Sequence, residues 1–235
     1  MLQIKNLSVK VGEKQILNQI SFDFETGKNY CILGKNGSGK SSLAMTLAGN
    51  PKYEISEGEL LLDGHSLKEM SPDERNRAGI FLTFQNIPEV PGVKLFEFLK
   101  TIYDARAEKP STFLEFKKII EPLMAELEIE KAFLWRDLNV GFSGGEKRKI
   151  EVLQIKLLKP KYIILDEIDS GLDVNAVRQV AELLKAVNTE ENSFIVITHL
   201  FEMLQELPLE KILILEQGKI KAIGGRELME QVRKE

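Results

Sequence analysis

Apolar and polar residues alternate from the second position of the chain. Leu2 and Ile4, Val9 and Val11, then Ile20, Phe22 and Phe24 repeat with a period of two. That spacing predicts strands over 2–11 and 20–24, each with one buried face. Glu25-Thr26-Gly27-Lys28 turns the chain into Asn29-Tyr30-Cys31-Ile32-Leu33, a short run that reads as a buried strand. Ser41 to Ala48 follows with helical character, and Gly49 stops it. Glu59-Leu60-Leu61-Leu62-Asp63, between Gly58 and Gly64, predicts a further strand closed by an Asp-Gly turn. The first third therefore reads as an antiparallel sheet beside a strand–loop–helix unit.

Ser71-Pro72-Asp73-Glu74 is a helix start, with Ser as cap, Pro in the first turn and Glu completing a capping box. Gly79 to Gln85 reads as a strand ending at Gln85, and Asn86 to Gly92, with two prolines and a glycine, as irregular chain. From Val93 to Leu138 the period changes: Leu95, Phe96, Leu99, Ile102 and then Phe116, Ile119, Ile120, Leu123 recur at helical spacing on either side of Pro110. These residues predict a helical insert with its own core, and Trp135 is read as part of that packing. A helix follows Ser143, another spans 175–187, and a charged helix is expected after Gly224-Gly225. Tyr162 to Asp166 and Phe194 to Thr198 are continuous apolar runs of the kind buried in parallel sheets, and Ile212 to Leu215 is a further strand.

Composition narrows the class. The chain has 235 residues, 43% hydrophobic and 29% charged, with a formal net charge of −4. That balance is ordinary for a globular protein and gives no basic surface for nucleic acid. The apolar runs are strand-length, short of the roughly 20 residues of a membrane span, so no direct membrane insertion is expected. No apolar leader follows Met1, and the one cysteine, Cys31, excludes an internal disulfide; a reducing, cytoplasmic setting is expected. Cys31 sits mid-strand and reads as packing.

The chemistry begins at Gly34-Lys35-Asn36-Gly37-Ser38-Gly39-Lys40-Ser41, which fits G-x-x-x-x-G-K-[ST] between a strand and a helix. Glycines let backbone N–H groups converge on phosphate oxygens, and the helix start adds unpaired N–H groups. Lys40 would reach the β- and γ-phosphates, the Ser41 hydroxyl would hold Mg²⁺, and Ser42 lies beside them. Asp166, at the end of an apolar strand, suits the Mg²⁺-holding carboxylate of a nucleotide-hydrolysing enzyme. Glu167 could orient and deprotonate a water. Gln85 could reach Mg²⁺ or that water. His199 could bond the γ-phosphate and hold Glu167. The loop, the acidic pair and His199 each follow an apolar strand, which places them together beyond one edge of a parallel sheet.

Ser143-Gly144-Gly145-Glu146 admits two readings. It is an ordinary capping box, or it is a second anion site at a helix start. Two glycines in a first helical turn cost helix stability, which suggests a backbone that something approaches closely.

With these residues in order, the chain resembles the ATP-binding cassette (ABC) ATPases: loop 34–41, Gln85, Phe142 to Glu146, Asp166-Glu167, Ser170-Gly171-Leu172-Asp173 and His199. Within them it is most similar to the SufC family of the SUF iron–sulfur cluster assembly system. The residues that carry this are Asn50-Pro51-Lys52-Tyr53, Ser71 to Arg75, Phe84-Gln85 leading to Pro88-Glu89-Val90-Pro91-Gly92-Val93, and Gly141 to Lys147. Phe142 and Glu146 depart from the usual Leu and Gln, and Asn50 from a common His.

The resemblance implies an α/β fold: a P-loop NTPase core with an N-terminal antiparallel β-subdomain and a helical subdomain inserted over roughly 86–141, in one domain spanning 1–235. It implies ATP and Mg²⁺ as ligands and a head-to-tail, ATP-dependent homodimer. In that dimer Ser143, Gly144 and Gly145 of one copy meet the phosphate held by Lys40 of the other. It also implies SufB/SufD-like scaffold partners, met through the Gln85 loop and the helical insert. A transporter's nucleotide-binding subunit and a nucleotide-gated binding module are the competing expectations.

Overall fold

The computed structural model describes residues 1–168, 174–198, 204 and 207–229; His199 and Ser170 to Asp173 lie outside them. In chain order the first elements are β1 (Leu2–Val11), β2 (Lys14–Phe24), β3 (Asn29–Leu33), α1 (Lys40–Ala48), β4 (Glu54–Leu62), β5 (His65–Ser66), α2 (Pro72–Ala78) and β6 (Ile80–Leu82). Then come β7 (Val90–Lys94), α3 (Leu95–Asp104), α4 (Phe113–Glu126), a 3-10 turn (Lys131–Trp135), β8 (Asp137–Leu138) and α5 (Gly144–Leu158). The last are β9 (Tyr162–Asp166), α6 (Val174–Val187), β10 (Ser193–Ile197), β11 (Leu209–Glu216) and β12 (Lys219–Gly224).

The described residues fall into two compact units. The first takes in residues 1–84, 160–168 and those from 188 onward. It holds a four-stranded antiparallel sheet ordered β2-β1-β4-β5 and a six-stranded sheet ordered β12-β11-β3-β10-β9-β6. In the larger sheet β3, β6, β9, β10 and β11 run parallel, with Ile195 beside both Tyr30 and Ile164. One core serves both sheets. Leu2, Ile4, Leu7 and Phe24 of the antiparallel sheet join Leu43 and Leu47 of α1 and Ile32, Ile164 and Ile197 of the parallel sheet. Phe22, Phe24 and Tyr30 meet edge to face at ring separations of 4.8–5.5 Å. Cys31 is buried, and burial pushes its thiol up, as expected of a packing residue.

The second unit takes in residues 85–159 and 174–187. It therefore includes α5 and α6, which an insert at 86–141 leaves out. Leu95, Phe96 and Leu99 of α3 and Phe116, Ile120 and Met124 of α4 are buried, spaced at i, i+4 and i+8 in α4. Both helices pack on α5, whose Ile150, Leu153, Leu157 and Leu158 are buried; α6 adds Val177, Val180 and Leu184. Trp135 is 51% exposed, yet its ring stacks on Phe96 and Phe113.

Several expectations need correction. β2 begins at Lys14, not residue 20, because Val11 pairs with Lys14 through backbone while polar side chains hide the strand. β4 begins at Glu54, ahead of Gly58. β6 ends at Leu82, so Gln85 is not a strand-end residue. The irregular stretch 86–92 contains the start of β7, which pairs with β8 only at its ends, Val90 with Leu138 and Lys94 with Asp137. Pro91 and Gly92 sit in the shifted part between, where no ladder N–H is demanded. β12 is an additional strand beyond those expected; Gln217 and Gly218, both at positive φ, make the tight turn that joins it to β11.

Candidate functional site

The phosphate loop leaves the fully buried strand β3, which lies between β10 and β11. Its first glycine, Gly34, has φ +152° and could carry no side chain: a Cβ there would stand 2.2 Å from the Leu215 carbonyl oxygen. Gly39, at φ +108°, caps α1, and its Cβ would meet Leu17 Cδ2 at 2.8 Å. The loop is thus walled by β11 on one side and β2 on the other. Leu17 and Leu215 are contributors that sequence spacing gives no reason to single out.

No acidic residue occupies the first turn of α1 and no side chain caps it. Its leading N–H groups are those that a helix start leaves without an intrahelical acceptor, with the positive dipole end behind them. Lys40 is buried, and its ammonium donates to the carbonyl oxygens of Gly34 at 2.8 Å and Lys35 at 3.2 Å. Burial pulls its pKa down, while Glu167 and Asp166 pull it up. Lys35, Asn36 and Gly37 are exposed, and Ser42 is half-buried. The Ser42 carbonyl accepts from Thr46 Oγ1 at 2.7 Å. Ser38 Oγ is buried and, among the described residues, has no hydrogen-bond partner. A buried hydroxyl left unpaired is a cost that a phosphate oxygen would remove.

Ser41 Oγ donates to Asp166 Oδ1 at 3.1 Å. Asp166 is 2% exposed, and burial raises its pKa; the Ser41 bond opposes this, Glu167 adds to it, and Lys40 opposes it. A hydroxyl and a carboxylate side by side are hard oxygen donors of the kind Mg²⁺ takes with phosphates. Glu167 comes next at φ +48°, an uncommon backbone for a non-glycine residue, with its N–H on Ile197 O at 2.8 Å. The first unit thus gathers the loop, Lys40, Ser41, Asp166 and Glu167.

Gln85 and Ser143 to Gly145 belong to the second unit. Ser143 caps α5: its Oγ accepts from Glu146 N at 3.3 Å, and Glu146 Oε2 accepts from Ser143 N at 2.6 Å. That backbone bond holds the Glu146 carboxyl below its ordinary range. The capping box is therefore formed, and Ser143 and Gly144 are still exposed at the helix start. Three side chains tie the chain after Gln85 to this region. Arg148 Nη2 donates to Gln85 O at 3.2 Å, Lys147 Nζ to Glu89 Oε1 at 2.8 Å, and Asn139 Nδ2 to Pro88 O at 2.9 Å. Arg148 is itself paired with Glu151 at 2.6 Å, both buried.

Comparison with known proteins gives the family and the fold. The ABC transporter family profile matches residues 17–170. The chain is 42% identical over 233 residues to the "Probable ATP-dependent transporter slr0075" of Synechocystis, covering 97% of this chain and 91% of that one. It is 38% identical over 239 residues to the "Probable ATP-dependent transporter SufC" of Escherichia coli, covering 100% and 96%. In fold it is similar to the ATP-binding cassette MJ0796, solved as a dimer in a post-hydrolysis state with ADP and Pi, at a TM-score of 0.80 and 22% identity over 95% of this chain and 98% of that one. The chain belongs to the ABC transporter family and is an ATPase of the cassette type.

Proposed function

We propose that this ATPase works as a SufC-type subunit in iron–sulfur cluster assembly, pairing with a second copy on ATP and driving a shape change in a cytoplasmic scaffold of the SufB/SufD kind. The observation that carries the reading is the full-length likeness to SufC of Escherichia coli.

In this reading Lys40 and the N–H groups of residues 34–42 grip the triphosphate. Ser41 and Asp166 hold Mg²⁺, with Gln85 as a further ligand or water-positioning amide. Bound Mg²⁺ neutralises charge on the β- and γ-phosphate oxygens. Glu167 takes the proton of the attacking water, and His199 steadies it. Ser143, Gly144 and Gly145 of the second copy offer backbone and hydroxyl donors to the γ-phosphate. Such preorganised donors are commonly worth about 3–4 kcal/mol each in the transition state.

The test is a pull-down from native extract with identification of the bound proteins. A scaffold carrying labile iron and sulfide supports the reading. A hydrophobic membrane protein supports the second reading, a transporter's nucleotide-binding subunit, which the relatives' names favour. Among the described residues no helix is long and apolar enough to cross a membrane.

A further inference from the structure

Asp166 is the last residue of β9, and its neighbour β6 stops short of it. The ladder between them pairs Ile80 with Tyr162, Phe81 with Ile163 and Leu82 with Ile164, then ends. A strand residue beyond its partner's end has a buried N–H that must find another acceptor. Here that acceptor is a side chain. Thr83 N donates to Ile164 O at 2.9 Å, and Thr83 Oγ1 donates to the same oxygen at 3.3 Å. In turn Thr83 Oγ1 accepts from Asp166 N at 3.3 Å. Thr83 is 3% exposed and Asp166 2%, so water is poorly placed to take over.

The hydroxyl thus does what a fourth ladder residue would do, at the point where the chain leaves the strand. One residue on, Glu167 adopts φ +48° and its N–H turns to the opposite neighbour, Ile197. The backbone of Asp166 is therefore fixed from one side by Thr83, and that of Glu167 from the other side by β10. A carboxylate that must share an ion with Ser41 depends on where its backbone stands.

We infer that Thr83 is a positioning residue for Mg²⁺-dependent nucleotide binding, acting by holding the backbone of Asp166 in register with Ser41. The inference rests on the reading of Asp166 as a Mg²⁺ ligand and goes one step outward from it.

The experiment titrates Mg²⁺ against ATP binding in the full chain by calorimetry, with ATP binding in EDTA as the reference. Thr83→Val keeps the shape and removes the hydroxyl. It is expected to bind ATP in EDTA within twofold of the parent, and to need about tenfold more Mg²⁺ for half the Mg²⁺-dependent gain. Thr83→Ser restores the hydroxyl and is expected within threefold of the parent. Thr83→Ala serves in place of valine if valine disturbs folding. An unchanged Mg²⁺ midpoint in Thr83→Val overturns the inference, and so does an equal loss of binding with and without Mg²⁺. Asp166→Asn is the control that separates the two claims. If it shifts the midpoint and Thr83→Val does not, only the role of Thr83 fails. If it does not shift the midpoint, the ligand assignment fails and the role of Thr83 with it.

Discussion

Arg75 Nη1 donates to the Thr46 carbonyl oxygen at 2.6 Å, and so closes the last turn of the phosphate-loop helix from beneath. The same guanidinium reaches Leu47 O at 3.3 Å and Met70 O at 3.1 Å. It is 4% exposed, and burial lowers its pKa. A cation at the carboxyl end of a helix satisfies orphan carbonyls and favours the dipole. Arg75→Met removes those donors and also relieves the cost of burying charge, for a net loss of about 2 kcal/mol of stability. Urea unfolding with an unchanged slope checks it, and Arg75→Lys should recover part of the loss.

Gly145 separates stability from activity. It is a helical residue, and an added Cβ there would meet nothing within 4 Å. Gly145→Ala should therefore stabilise α5 by about 0.5–1 kcal/mol. If the space is kept for the γ-phosphate of a second copy, the same change should cut ATP turnover at least tenfold. A variant that is more stable and equally active would refute that use of the space.

Glu167→Gln should retain ATP binding, lose hydrolysis by about a hundredfold or more, and accumulate an ATP-dependent dimer seen by light scattering. Lys40→Ala should fail earlier, at nucleotide binding itself. Normal turnover in Glu167→Gln sinks the assignment of the base.

Asp63 gives a pH test away from the site. Lys161, bonded to it at 2.7 Å, and then the chain's amino terminus hold its pKa down to about 2. A depressed carboxyl contributes stability that is fully present above its unfolded value near 3.9 and is lost as pH falls from there to about 2. The pair is half exposed, so the contribution is under about 1 kcal/mol. Lys161→Met should move the Asp63 titration upward in carbon-detected NMR, and should flatten the stability change over that acid window.

The nucleotide-binding core was legible because backbone chemistry dictates its residues. Gly34 stands where no Cβ fits, Gly39 holds a φ of +108° that L side chains rarely adopt, and Asp166 ends a run of apolar residues buried on both faces. The parts that were not legible depend on pairing that leaves little trace in side chains. β12 alternates exposed Lys219, Lys221 and Ile223 with half-buried Ile220 and Ala222, a period-two signal too short and too little buried to stand out. β7 contains Pro91 and Gly92, which argue against a ladder unless the partner is known to pair only at the ends. Thr83 carried one faint signal, a hydroxyl inside the apolar run from Ile80 to Phe84. The capping box at Ser143 was readable and is formed, and forming it does not decide against an anion site there. The side chain closes the box and the residue remains exposed.

The wall behind Gly34 is a carbonyl oxygen of Leu215, and that of Gly218 is a carbonyl oxygen of Ile16 at 2.2 Å from where a Cβ would stand. Main-chain atoms are the same whatever residue supplies them. Leu215 can drift to another apolar side chain without moving the wall, whereas a Cβ at Gly34 has nowhere to go. Mutational tolerance around the cradle should therefore be lopsided: permissive in the residues that enclose it, and closed in the glycines they enclose.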